Sequence, residues 1–233
     1  MFKNIVLKLS GEFFKGKDSI FASESIAQYA EQIKKAKENS VNIAVVVGGG
    51  NIFRGKDVAE DFCIGRYDSD GLGILGTVMN GILLKGSLRR LGVKSTLMAP
   101  FSFLSVDEVY SRDKALELFS KGEVVIFAGG LGLPYLSTDT TAAMKAIDLG
   151  ADVVLKATKV DGVYDKDPKK YSDAKRYEKI SLSFALEKGL KVMDLSAMDL
   201  CRDHSVKINV FNALRADNIE KIIMGQDIGT LIY

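Results

Sequence analysis

The sequence predicts an α/β protein, a three-layer sandwich whose central, mainly parallel twisted sheet is covered by helices on both faces. Short runs rich in Val and Ile alternate with helical patterns, which is typical of β-α-β units. The runs are apolar at consecutive positions, as expected for strands covered on both faces. Because such sheets bind ligands at the carboxyl ends of their strands, the segments after the strands form the candidate site.

Five strands and four helices are predicted in the first part of the chain. The strands are KNIVLKL (3–9), VNIAVVV (41–47), VKSTLMA (93–99), EVVIFA (123–128) and ADVVLKA (151–157). The helices lie near 25–38, 72–91, 112–121 and 138–149. A capping box of Ser25 and Gln28 opens the first helix, and the polar segment IGRYDSD before the second is predicted to be a turn.

The pattern weakens after Pro168, where residues 169–179 are predicted to form a charged connector. The remaining predicted elements are helices over 181–189 and 192–204, a strand over 206–211, a helix over 216–225 with Gly225 as its stop, and a strand over 229–233. Linker-like composition and repeats are absent. One domain over 1–233 is therefore expected, divided into two lobes.

Composition excludes several classes of function. The 32 Lys and Arg residues nearly cancel 30 Asp and Glu, and a net charge of +2 predicts partners other than nucleic acid or an anionic membrane. The apolar stretch before Lys8 is too short for a signal peptide, and no run approaches the roughly 18 residues of a spanning helix, so a cytoplasmic location is expected. Cys63 and Cys201 form no C-x-x-C pair, and His204 is the only histidine, which excludes a Cys/His metal cluster.

Two nucleotide-binding motifs match in spacing but lack a required feature. The P-loop spacing G-x-x-x-x-G-K occurs at Gly11–Lys17 and Gly50–Lys56, but Asp18 or Asp57 follows where a hydroxyl must bind Mg²⁺. A carboxylate about 4 Å from a phosphate oxygen costs about 4 kcal/mol at an effective dielectric near 20. The dinucleotide spacing at Gly71–Gly76 has no strand before it, which argues against a Rossmann oxidoreductase.

The segments after the strands carry groups suited to phosphate. Lys8 near the end of the first strand can supply positive charge to a phosphoryl group, while Gly11 lets backbone approach closely; a surface lysine is the alternative. Gly48–Gly50 expose successive amides, and Arg54 adds a guanidinium.

A second anion site is predicted where Ser137, Thr138 and Asp139 open a helix, with Thr138 as a possible N-cap. Two anion sites facing Lys8 indicate transfer of a phosphoryl group between two anionic ligands, a chemistry that relies on positioning and charge neutralisation.

Seven segments together resemble the bacterial uridylate (UMP) kinases of the amino acid kinase superfamily. They are KLSGE (8–12), GGGNIFRG (48–55), DGLGILGTVMNG (70–81), GLGLPYLSTD (130–139), ADVVLKATKVDGVYDKDP (151–168), LKVMDLSAMDLCRDH (190–204) and INVFN (208–212). They extend almost from end to end in the family's order, and TVMNG and KATKVDGVY are specific to this family. The resemblance implies ATP-dependent phosphorylation of UMP to UDP with Mg²⁺ accompanying ATP, and a fold unrelated to the P-loop nucleoside monophosphate kinases. The alternatives are carbamate kinase-like phosphorylation of an acid, disfavoured by TVMNG and Asp70, and a nucleotide-sensing module without turnover, disfavoured by Lys8.

The resemblance also assigns residues. Lys8 and Asp139 would be catalytic, with Asp139 orienting lysines. ATP would contact Lys8, Leu9, Ser10, Gly11, Gly50, Arg54, Thr158, Tyr164 and Asp167. UMP would contact Gly49, Asp70, Leu131, Gly132, Leu133, Pro134, Tyr135, Leu136, Ser137 and Thr138. Asp194 would organise metal or phosphates, or cap a helix, and no metal would be held by protein ligands alone.

Two departures from the family pattern bear on these assignments. Leu131 and Leu133 stand where the family has Thr and Asn, so side-chain contacts to UMP there are in question. Segment 15–23 does not match the family's GTP-responsive loop, so activation by GTP is not predicted. Residues 1–150 would form the acceptor-side lobe and 151–233 the ATP-side lobe. Family members are commonly hexamers, and helix 72–91, with glycines at 76, 81 and 86, could serve close packing within the chain or that assembly.

Overall fold

The structure, a computed structural model, describes residues 2–54, 62–190 and 192–233. Nine strands form a single sheet in the described part of the chain. They are β1 (Asn4–Leu9), β2 (Asn42–Val47), β3 (Ser95–Ala99), β4 (Glu108–Val109), β5 (Val124–Phe127), β6 (Val153–Thr158), β7 (Lys179–Ile180), β8 (Lys207–Asn212) and β9 (Thr230–Ile232). Their order across the sheet is β4-β3-β5-β2-β1-β6-β8-β9-β7, and all pairs are parallel except β8 with β9.

Seven α-helices connect these strands in the described residues. They are α1 (Ser23–Glu38), α2 (Arg66–Arg90), α3 (Arg112–Ser120), α4 (Thr138–Leu149), α5 (Leu182–Glu187), α6 (Leu195–Asp203) and α7 (Asn218–Ile223). A short 3-10 turn, Gly11–Phe13, follows β1 directly.

Alternate residues of each central strand enter two different cores. In β1, Ile5 and Leu7 pack with side chains of α1, α2 and α7, whereas Val6 packs with side chains of α3 to α6 on the other face. This alternation follows from the period of two in a strand and explains why the strands are apolar at consecutive positions such as Ile5, Val6 and Leu7. The predicted fold class, a three-layer α/β sandwich with a mainly parallel sheet, is confirmed.

Two predicted helix starts were wrong, whereas the predicted start of the helix at Thr138 is present. Helix α1 begins at Ser23 after Ala22, which makes no side-chain capping hydrogen bond, so Ser25 lies inside the helix and the capping box is absent. Helix α2 begins at Arg66, so most of the segment predicted as a turn is helical. Its first three residues, 66–68, are solvent-exposed, and an ion pair between Arg66 and Asp70, four residues apart, supports this end of the helix. Exposure explains why polar residues occur there.

Two strands were not predicted, β4 and β7, and each has only two residues. Two residues are too few to show an alternation of apolar and polar positions in the sequence. Such a strand forms only by pairing with its neighbour in the sheet. Strand β7 ends the predicted charged connector and pairs with β9.

Two glycines of α2 serve packing within the chain. A methyl group on Gly76 would lie 3.3 Å from the Gly49 carbonyl oxygen, and one on Gly81 would lie 2.7 Å from Leu97. Gly86 faces open space. Among the described helices, α2 is also long and apolar enough to cross a membrane by length and composition alone, although no apolar run of that length was expected. Its buried side packs against β3 and α1.

Candidate active site

Two lysines share one carboxylate at the carboxyl end of the sheet. Strands β1 and β6 are neighbours, and their register places Lys8 directly opposite Lys156. Asp139, in the first turn of α4, lies between them: Lys8 Nζ is 2.9 Å from Oδ1 and Lys156 Nζ is 2.7 Å from Oδ2. The three side chains are only 12–16% exposed. The structure thus brings together Lys8 and Asp139, both predicted as site residues, and adds Lys156 to them.

The charges of this cluster favour a bound anion. Burial raises the pKa of Asp139, but the ammonium groups of Lys8 and Lys156 outweigh that effect and hold it below the ordinary value. Burial lowers the pKa of Lys156, which also donates a hydrogen bond to the Val192 carbonyl. With both lysines protonated, the cluster carries one net positive charge.

Ser137, not Thr138, caps α4. The Ser137 hydroxyl oxygen accepts hydrogen bonds from the Asp139 and Thr140 amides at 2.9 and 3.1 Å, and its hydroxyl donates to Asp194. Asp194 in turn caps α6 by accepting from the Ala197 amide at 2.8 Å. Because one carboxylate bonds both helix starts, the order of α4 beside Asp139 depends on α6.

The glycine loop after β2 is held by a buried amide on α2. Asn80 is fully buried; it donates to the Gly48 carbonyl at 2.6 Å and exchanges two hydrogen bonds with Asn51. A side chain on Gly11 would collide with the Gly50 amide, so the loops after β1 and β2 touch backbone to backbone. Sequence reasoning did not single out Asn80, although a lone Asn in the apolar run of α2 was an available signal.

We expect Asn80→Ala to destabilise the protein by about 2–4 kcal/mol, because two buried acceptors, the Gly48 carbonyl and the Asn51 side-chain oxygen, lose the Asn80 donor. Urea denaturation would measure this. Asn39→Ala is the control, since Asn39 is exposed and its side chain bonds only Lys35 among the described residues. Equal stability of the two variants would contradict the anchoring role.

A cavity of about 390 Å³ lies between the glycine loop, α2 and the start of α4. Its lining is Gly49, Gly50, Phe53, Arg54, Asp70, Gly73, Ile74, Thr77, Gly130, Leu133, Leu136, Ser137 and Thr138. Asp70 accepts a hydrogen bond from the Tyr135 amide at 2.8 Å through Oδ2. Eight residues predicted for UMP or phosphate therefore share one cavity.

Four residues predicted for UMP do not line this cavity. Leu131 lines a different cavity, and Gly132 packs against Pro100. Tyr135 and Pro134 also lie outside the lining, although the Tyr135 amide fixes Asp70.

A second cavity of about 400 Å³ meets the first at Gly50 and Arg54. Lys15, Gly16, Glu12 and Lys159 complete its lining. Glu12 forms ion pairs with Arg54 and with Lys159 Nζ, the latter at 3.0 Å. The hydrogen bond from Lys159 lowers the pKa of Glu12 and outweighs the opposing effect of burial, with the charge of Arg54 adding to it. Three cations facing one carboxylate suit a polyphosphate.

The other predicted ATP residues do not line this second cavity. Leu9 ends β1 and is buried, and Ser10 precedes the 3-10 turn. Thr158 ends β6 with its hydroxyl near the Val160 and Phe211 carbonyl oxygens. Tyr164 lines a cavity of about 200 Å³ together with Asp161, Arg176 and Asn212, whereas Asp167 is exposed and accepts from the Lys169 amide.

The described residues contain no cluster of three or more His, Cys, Asp or Glu side chains that could hold a metal ion. His204 is exposed at the end of α6. Gly55, Lys56 and Asp57, which complete the second P-loop spacing, lie outside the described residues.

Lys156 and Lys159 were not predicted as site residues. The signal for Lys156 is the recurrence of V-L-K in β1 and β6, which places one charged residue at the same point of two apolar strands. A charged residue inside a buried strand is costly unless it is paired, so the recurrence indicates that each of these lysines needs a partner.

Comparison with known proteins gives a consistent result. Residues 3–212 match the model of the amino acid kinase family. The chain resembles a UMP kinase from Bacillus anthracis (34% identity, TM-score 0.95, covering 99% of this chain and 96% of that one). It also resembles a UMP kinase from Ureaplasma parvum (33%, TM-score 0.93, 99% and 98%) and a uridylate kinase from Archaeoglobus fulgidus (28%, TM-score 0.77, 98% and 99%).

Proposed function

The chain belongs to the amino acid kinase family, and we propose that it transfers the terminal phosphoryl group of ATP to UMP, forming UDP and ADP. The observation that carries this proposal is the Lys8–Asp139–Lys156 cluster at the carboxyl ends of β1 and β6, next to β2, whose following loop supplies Gly50 to both cavities. A partly buried cluster with surplus positive charge is suited to a migrating phosphoryl group.

The transfer needs no protein base. An oxygen of the UMP phosphate attacks the γ-phosphorus, the bond from that phosphorus to the β,γ-bridging oxygen breaks, and ADP leaves with the electron pair. The nucleophile is already an anion, so catalysis consists of alignment and neutralisation. Lys8 and Lys156 supply the neutralising charge, and Asp139 fixes the direction of both ammonium groups.

On the acceptor side, we assign UMP to the cavity of about 390 Å³. Asp70 would accept hydrogen bonds from the ribose, and the exposed amides of Gly49 and Gly50 would bind phosphate. Leu133 presents an apolar side chain to this cavity, so recognition of the base there would depend on backbone groups and packing. Leu131, Gly132, Pro134 and Tyr135 would shape the loop without lining the cavity.

On the donor side, we assign the phosphates of ATP to Ser10, Gly11 and the cavity lined by Arg54 and Lys159. Thr158, Tyr164 and Asp167 would bind the adenosine part. Mg²⁺ enters with ATP as part of the substrate, and phosphate oxygens would hold it with at most one or two carboxylates. Asp139 is already held by Lys8 and Lys156, and the oxygens of Asp194 are engaged by Ser137, Thr140 and Ala197, so the phosphate oxygens of ATP would supply most of the ligands to Mg²⁺.

Steady-state kinetics on Glu12→Gln would examine the donor side. We expect KM for ATP to fall about two- to fivefold with kcat little changed. In the native protein, Arg54 and Lys159 must leave Glu12 before they bind phosphate, and the variant removes that step. The effect is small because exposed ion pairs are weak. Glu24→Gln is the control, an exposed glutamate in the first turn of α1. A rise in KM for ATP or Mg²⁺ would instead show that Glu12 orders the site.

The proposed activity is tested by coupled ADP release with UMP, CMP and carbamate as acceptors. We expect turnover with UMP at the highest kcat/KM. Turnover with none of the three would overturn the proposal in favour of a nucleotide-sensing module, and preference for carbamate would favour phosphorylation of an acid.

We further propose that the protein acts as a homo-oligomer, a hexamer by resemblance, in the cytosol. Support comes from an apolar stripe on α2, where Leu75, Met79 and Leu83 are 37–44% exposed. The acceptor-side lobe would comprise roughly residues 1–150 and the ATP-side lobe 151–233. Neither nucleic acid nor membrane is a partner in this proposal, in keeping with a net charge of +2.

A further inference from the structure

A third cavity, of about 320 Å³, lies at the carboxyl ends of β3 and β5, between the sheet and α4. Most of its wall is apolar, formed by Met98, Ala99, Pro100, Phe127, Ala128, Leu131 and Met144. Tyr110, Arg112, Lys145 and Asp148 add polar groups. The volume is within the range of small-molecule sites, about 300–1,000 Å³, and at the end that fits a single ring.

Lys145 is buried in this wall with too few partners. Its side chain is 6% exposed, and its only described acceptor is Asp148, 3.3 Å away. The ammonium otherwise faces aromatic carbon: Nζ is 3.1 Å from the centre of the Tyr110 ring and 5.5 Å from that of Phe127. An ammonium has three donors, so Lys145 retains capacity for another acceptor.

The partner of Lys145 is itself shared. The Tyr110 hydroxyl donates to the same oxygen of Asp148 that Lys145 approaches. Burial raises the pKa of Tyr110, so this hydroxyl keeps its proton. Burial also lowers the pKa of Lys145 despite the opposing charge of Asp148, because the ammonium is poorly solvated.

The charges around the cavity favour an anion. Lys145 and Arg112 are cationic and Asp148 is anionic, so the wall carries one net positive charge. The apolar wall favours a hydrocarbon body on the ligand, since burying it is worth about 25 cal/mol per Å². A ligand with one negative group and an apolar body would satisfy both features.

We propose that this cavity binds a small organic monoanion, a carboxylate on a single-ring or similarly compact apolar body, with Lys145 as its ionic partner. Gly130 lines both this cavity and the acceptor cavity, and Leu131 follows it. Lys145 also lies on α4, the helix that carries Asp139. An occupant would therefore contact the loop and the helix that shape the acceptor site.

Methionine methyl NMR offers a direct test with benzoate as the probe. Met98 and Met144 line the cavity, whereas Met224 is exposed at the end of α7. We expect saturable shifts of the Met98 and Met144 methyl signals at about millimolar benzoate, the affinity that a nine-atom ligand can reach. Benzyl alcohol, which keeps the ring but lacks the charge, should bind at least about tenfold more weakly because it forms no charge-assisted hydrogen bond.

Variants separate the ionic contact from the apolar wall. Lys145→Met should weaken benzoate binding at least about tenfold while leaving benzyl alcohol unchanged, and Lys145→Arg should retain it. Lys121→Met is the control, an exposed lysine that pairs with Glu117. Absence of shifts, equal binding of the two probes to the native protein, or parallel shifts of Met224 would overturn the proposal, and the comparison of probes needs no variant to fold.

Coupling to catalysis has its own readout and rests on the proposed function. Benzoate should change KM for UMP and leave KM for ATP unchanged, because Gly130 belongs to the acceptor side. Binding without any effect on UMP kinetics would overturn the coupling alone. Absence of kinase activity in the native protein would overturn the proposed function. The NMR shifts would still show whether the cavity binds benzoate.

Discussion

Lys8→Met is expected to lower kcat by about 10²–10³-fold while changing the dissociation constant of UMP less than about threefold. Lys8 reaches the sheet edge from β1 and is held 2.9 Å from Asp139, beside rather than within the lining of the acceptor cavity. Its charge would therefore be matched to the moving phosphoryl group, not to bound UMP. Single-turnover kinetics and equilibrium binding of UMP would measure the two quantities separately.

Lys3→Met is the matched control, since Lys3 is exposed and directly precedes β1 at the opposite end from Lys8, so its loss should leave kcat unchanged. If Lys8→Met weakened UMP binding as much as it slowed turnover, Lys8 would be a binding residue only. Retention of full activity would remove the observation on which the proposed function depends.

The fold was predictable because its main signals are local. Strands such as β1 and β2 are apolar along their length, and the buried alternation of Ile5, Val6 and Leu7 shows the physical cause. The start of α2 was missed because an exposed first turn is polar whether it is helical or not. Strands β4 and β7 were missed because two residues pair only when a neighbouring strand is already in place.

The site was partly predictable for a related reason. Lys8 lies near the end of a strand, the glycine loop follows a strand and Asp139 opens a helix, so their place at the sheet edge follows from the fold class. Lys156 required knowledge that β1 and β6 are adjacent, although about 150 residues separate them along the chain, as the pairing of Ile5 with Val153 shows. Strand order is a long-range property, and a single sequence does not determine it.

Asp139→Asn is the second substitution with a large expected effect. The Lys8 and Lys156 ammonium groups would lose their shared counter-ion and repel each other in a site that is mostly buried. Breaking a buried ion pair costs about 3–5 kcal/mol, and the residual solvent access here reduces that to about 2–3 kcal/mol. We also expect kcat to fall about 10²-fold, because the ammonium groups would no longer be oriented.

The pH dependence of stability distinguishes loss of the Asp139 charge from general misfolding of the variant. The lysines hold the pKa of Asp139 below its ordinary value, although burial opposes them. The ionised carboxylate therefore adds its full share to the free energy of unfolding above the unfolded pKa of about 3.9, and this share is lost as pH falls through the folded pKa. The stability difference between native protein and Asp139→Asn, measured by urea denaturation, should therefore shrink only in acid. Asp199→Asn, which changes a half-exposed carboxylate on α6, should show no such difference.

MgATP should raise the Tm of Asp139→Asn at least as much as that of the native protein, because its phosphates replace the missing charge. Loss of that rise would show that Asp139 shapes the nucleotide site instead of orienting the lysines.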